Sequence, residues 1–171
     1  MSPLLKGVLV ALIQVALIAG VGGKLLYDRA TLPRAWVETA GVDPELPVRG
    51  RYVELWLLFP EAPGAAPVVD EYACGRIELR NGQPVAVLEG DSQRLLQPGR
   101  PRWVCFTRRA GAGAAQWLLE DEVAFFLPEH APDPTRDVRP GELWVEVTLP
   151  PRGAPRPIRL GLMRDGAMQP I

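Results

Sequence analysis

The stretch Leu4–Leu26, LLKGVLVALIQVALIAGVGGKLL, constrains this chain more than any other. Between Lys6 and Lys24 only Gln14 is polar, so Gly7–Gly23 makes an apolar rod of about 25 Å at the helical rise. With the snorkelling stems of the two lysines and the outer leucines it reaches about 34 Å, enough for a hydrocarbon core of about 30 Å. These are the only lysines in the chain, and both sit at the rims of the run. A helix buried in a soluble core would be amphipathic, whereas this one is apolar on nearly every face. The pattern predicts a transmembrane anchor over 4–26, with the lipid bilayer as its partner.

The competing reading is a cleaved signal peptide, with Lys6 as its charged end and Val8–Ala19 as its apolar core. No A-x-A site follows, Gly20-Val21-Gly22 being the nearest substitute, so a retained anchor is the reading taken. Lys24, Arg29 and Arg34 follow the span, so the positive-inside count does not favour export. The short N-terminal tail, in contrast, is typical of a signal-anchor whose bulk is translocated. The expectation is a single-pass membrane protein whose C-terminal domain is exported.

The remainder suits one domain. A juxtamembrane connector is expected over 27–33 and a β domain over 34–165. Proline and glycine, 19 and 17 residues of 171, favour many turns and disfavour long helices. Formal charge is −1, so no field draws in nucleic acid, and none is expected as a partner. Alternation predicts strands at Arg34–Thr39, Arg51–Phe59, Val68–Arg80, Pro84–Glu89, Arg102–Arg108, Gln116–Leu119, Val123–Leu127, Leu143–Leu149 and Ile158–Met163. In Arg51–Phe59, Val53, Leu55, Leu57 and Phe59 share one wholly apolar face. Asn81-Gly82 is the strongest short-range hairpin signal. The fold class expected is all-β: a single transmembrane helix, then one antiparallel β-sandwich or partly open β-barrel.

Cys74 and Cys105 both fall in strand-like runs. In an oxidising compartment an even number permits a disulfide, while two separate buried thiols are the alternative, and sequence alone leaves both open.

Three stretches together resemble a bacterial family of membrane-anchored proteins, the GDYXXLXY-domain proteins. They are Gly41-Val42-Asp43-Pro44, then Gly50-Arg51-Tyr52-Val53-Glu54-Leu55-Trp56-Leu57, then Ala124-Phe125-Phe126-Leu127-Pro128-Glu129. The N-terminal anchor also fits. Aligned on the naming motif, Gly50, Tyr52 and Leu55 match, while Arg51 replaces its Asp and Leu57 its final Tyr. The resemblance implies architecture and location, and association with polytopic membrane proteins, rather than a chemistry.

Residue inventories narrow the chemistry further. Glu129 and His130, with Asp133 and Asp137 nearby, form a carboxylate–imidazole candidate for acid–base work or a metal. His130 is the only histidine, however, and prolines surround it. Glu129 is read as a hydrogen-bonding strand-end residue, and Tyr52 as a packed ring with a capping hydroxyl. Glu120-Asp121-Glu122 reads as a solvated turn. Past the anchor there is one serine, Ser92, and no lysine, which excludes a Ser–Lys peptidase. No C-x-x-C pair or normal zinc spacing occurs. No catalytic residue, metal or cofactor is assigned. The leading expectation is a non-enzymatic binding or accessory module. The alternative is an envelope hydrolase or ligand-binding enzyme using Glu129, His130 and Tyr52.

Overall fold

A computed structural model describes residues 2–40, 52–64, 68, 70–89, 103–109, 116–128, 134, 138–151 and 153–171. The chain divides into two compact units between Leu32 and Pro33.

The first unit is helix α1, Pro3–Thr31. Ser2 caps it by accepting from the Leu5 N–H, and Pro3 starts it, where a missing N–H costs nothing. None of its residues is buried, and its apolar window is long enough to cross a bilayer. The helix also runs through most of the expected connector, 27–33. Lys24 and Asp28 pair at 2.9 Å one turn apart, and the Leu32 N–H donates to the Asp28 carbonyl. It stops because Pro33 disfavours a helical Leu32, which is extended at φ −70°, ψ 147°.

The second unit is all-β. Its strands are β1 (Arg34–Thr39), β2 (Tyr52–Leu55), β3 (Leu57–Pro60), β4 (Tyr72–Arg80), β5 (Gln83–Glu89) and β6 (Val104–Arg108). There follow β7 (Gln116–Leu119), β8 (Val123–Phe126), β9 (Leu143–Thr148), β10 (Arg156–Arg164) and β11 (Ala167–Pro170). Nine strands form one antiparallel sheet in the order β11-β10-β9-β1-β3-β7-β6-β4-β5, curled into a half-barrel. The curl brings β5 back to the end of β3, where the Ala62 N–H donates to the Ala86 carbonyl at 2.9 Å. Strands β2 and β8 form a separate two-stranded ribbon.

The expected buried face is the core. Val53, Leu55, Leu57 and Phe59 are all buried, joined by Val37, Phe106, Trp117, Leu119, Val145, Val147 and Leu160. Phe59 and Phe106 meet edge to face at 5.9 Å. Arg51–Phe59, however, is not one strand. It breaks at Trp56, so that β2 joins the ribbon and β3 the main sheet. The break turns Leu58, which strict alternation would place outside, into a buried residue as well. Trp56 stays 41 % exposed and gives its carbonyl to the Ala40 N–H at 2.7 Å.

Turn chemistry explains the two tight hairpins. Asn81 (φ 52°) and Gly82 (φ 80°) both take left-handed backbone, as a two-residue turn between paired Arg80 and Gln83 requires. Asp165 (φ 50°) and Gly166 (φ 76°) do the same between Arg164 and Ala167. The domain therefore continues past residue 165, the limit drawn from the sequence, into β11. At Gly75 a side chain is excluded for another reason: a Cβ there would strike the Val87 carbonyl oxygen on β5.

Candidate functional site

The two described segments of the family resemblance lie side by side. In the ribbon Tyr52 opposes Phe126, Val53 opposes Phe125, Glu54 opposes Ala124 and Leu55 opposes Val123. Alternation then sorts the side chains. Val53, Leu55 and Val123 are buried and Phe125 packs against the core, while Tyr52, Glu54, Ala124 and Phe126 face the other way. The Tyr52 and Phe126 rings are 6.1 Å apart and tilted by 50°. Phe126 is 74 % exposed, so the outward face presents a large aromatic surface without a cover among the described residues.

Tyr52 thus fits the packed-ring half of its expected role. Its described partner is Phe126, and no backbone cap by its hydroxyl is seen among the described residues. Gly50, Arg51, Glu129, His130, Asp133 and Asp137 lie outside the described residues, as does Gly41–Pro44. Leu55 and Leu57 are fully buried core residues.

Cys74 and Cys105 are joined in a disulfide, directly opposite each other on β4 and β6 with Cα atoms 4.0 Å apart. Register across two strands distant in sequence places them together, which sequence spacing did not reveal. Beside them Tyr72 opposes Thr107, and the Thr107 hydroxyl donates to Glu120 at 3.3 Å. The Tyr72 phenol is held above its ordinary value by partial burial, and further by the Glu120 carboxylate that it bonds and by Asp121. Glu120, Asp121 and Glu122 are all exposed, as a solvated turn requires. Among the described residues no group of three His, Cys, Asp or Glu could hold a metal ion.

A second cluster escaped the sequence reading. Trp117, fully buried, donates its indole N–H to Glu61 at 3.2 Å, and the Arg108 guanidinium lies over its ring at 5.0 Å. The Arg108 Nε is buried and has no hydrogen-bond partner among the described residues. On the outer face of the main sheet, Arg159 bonds Glu146 at 2.7 Å and lies over the Trp36 ring at 5.4 Å. Of the described tryptophans, then, only Trp117 is wholly core.

On β4, Glu78 bonds Arg76 at 2.6 Å and Arg80 at 3.1 Å. The hydrogen bond from Arg76 is the chief cause that holds its carboxyl below the ordinary 4.5. A lowered folded value stabilises the fold above pH 4.5, and that contribution is lost as pH falls through the folded value. Glu78→Gln is therefore expected to flatten the acid limb of a thermal-unfolding profile taken across pH, with its largest effect at neutral pH. An acid limb unchanged in steepness would contradict this.

No protein family, curated protein or solved structure matched this chain in the comparisons made.

Proposed function

We propose that this is a single-pass inner-membrane protein of the GDYXXLXY type whose β domain lies in the periplasm. There it acts as a binding or accessory module for a polytopic membrane-protein partner. The observation that carries the reading is the β2–β8 ribbon. Its inward face is committed to the core, and its outward face sets the exposed Phe126 beside Tyr52 in a domain otherwise short of reactive groups. Aromatic side chains of this kind supply contact area at small entropic cost and anchor protein interfaces. A disulfide in the same domain agrees with an oxidising compartment.

The test is crosslinking in intact membranes, followed by identification of what co-purifies with the wild-type chain and with Phe126→Ser. The reading expects a membrane protein that is recovered with the wild type and lost, at least about tenfold, with the variant, while folding is unchanged. Recovery unaffected by Phe126→Ser would overturn it.

A further inference from the structure

We propose that the thioethers of Met163 and Met168, walled by the Trp36 indole, form a binding site for a soft monovalent cation, copper(I). The site lies wholly within the β unit and rests on neither the anchor nor the proposed partner.

Register is the first argument. Three methionines occur in the chain, and two of them meet across the hairpin of β10 and β11. Arg164 and Ala167 flank its two-residue turn, so Met163 and Met168 form the next pair, of the kind without mutual hydrogen bonds. Such a pair has Cα atoms about 4.5 Å apart and both side chains close together on one face. The backbone agrees, since the Met163 N–H turns away from β11 and donates to the Glu142 carbonyl at 2.8 Å. Alternation along β10 sets Gly161 and Arg159 on the same face, paired with Trp144 and Glu146 of β9, and Glu146 in turn pairs with Trp36 of β1. Gly161 leaves the room that brings the parts together. A Cβ on it would lie 2.8 Å from Trp36 Cζ3 and 2.9 Å from Met168 Sδ, so the ring edge and the sulfur converge over one point.

Ligand chemistry is the second. Met163 and Met168 are both half-buried, and Met163 opens on a hollow of about 350 Å³ shared with Arg139, Glu142, Arg164 and Asp165. A small ion therefore has a path to the sulfur. The two carboxylates of the hollow offset its two guanidinia, and Glu146 answers Arg159 at 2.7 Å, so no net field repels a cation. Thioethers are soft and neutral: they suit copper(I), whereas hard divalent ions take oxygen ligands. A sulfur–aromatic contact accounts for Met168 against Trp36, but not for a second thioether directly opposite it.

The probe is silver(I), the redox-inert analogue of copper(I), added as its nitrate to the oxidised full chain in chloride-free detergent. No reductant then touches the Cys74–Cys105 bridge. In protein labelled with carbon-13 at the methionine methyls, the Met163 and Met168 resonances are expected to shift together and saturate at one silver per chain, while that of Met1 stays. Met163→Leu plus Met168→Leu, which nearly conserves volume, should weaken silver binding in calorimetry at least about tenfold, as much as losing an outer-shell partner of a metal. Affinity should hold constant between about pH 5 and 8, because a thioether has no proton to displace. Resonances of Met163 and Met168 that move no more than that of Met1, or silver affinity kept by the double variant, would overturn the proposal. An affinity that falls toward pH 5 assigns the silver to His130 and overturns it as well. The methyl shifts need no variant, so they decide even if the double leucine chain misfolds.

Discussion

Replacing Cys74 and Cys105 together by alanine is expected to lower the unfolding free energy of the β domain by about 3–4 kcal/mol. The bridge closes a loop of sequence separation 31 between β4 and β6, and releasing that loop enlarges the unfolded ensemble. Denaturant unfolding of the full chain in detergent, followed by near-ultraviolet tryptophan signals, reads the difference. Reduction of the unaltered protein should give nearly the same loss, since β4 and β6 remain neighbours through their backbone ladder. A reduced protein as stable as the oxidised one would show that the bridge constrains nothing.

Trp117→Ala is the second large effect, at about 3–5 kcal/mol. The ring is fully buried and lies across from Phe59 on β3 and Arg108 on β6, so its loss opens a cavity between three strands. It also removes the partner of Glu61 and the surface beneath the Arg108 guanidinium, whose Nε is buried without a hydrogen bond among the described residues. Trp117→Phe separates these contributions. It keeps a buried ring but loses the indole N–H and part of the ring volume, so about 1–3 kcal/mol is expected. The same denaturant assay decides. A cost below 1 kcal/mol for the alanine variant would mean that the core closes without this ring.

What the sequence disclosed follows from how local each signal is. The apolar rod needs no partner to be recognised, and Asn81-Gly82 carries its own backbone geometry. The core set Val53, Leu55, Leu57 and Phe59 was legible because strand alternation survives the kink that divides it. The kink itself was not legible. It arises because β2 and β3 pair with different strands, a tertiary choice that no residue in Tyr52–Phe59 announces. Asp165-Gly166 has the same turn chemistry as Asn81-Gly82, but no hairpin was expected there. The strand after it, Ala-Met-Gln-Pro, lacks the alternation that would have drawn notice.

The candidate site was legible only as separate pieces. Tyr52 and Phe126 are far apart in the chain, and Glu61 is far from Arg108 and Trp117. Only antiparallel register brings each set together. The cysteine pair belongs to the same class: both strands were expected, but not their adjacency.

The measurement that bears most directly on an anchored, exported β domain is an alkylation-shift assay on fractionated cells expressing the full chain. Thiols are trapped by acid quenching, and membrane and soluble fractions are treated with a maleimide-polyethylene glycol before and after reduction. The account predicts a chain confined to the membrane fraction that resists carbonate extraction, with Cys74 and Cys105 unreactive until reduced. A chain in the soluble fraction, or one whose two cysteines react without reduction, would contradict it.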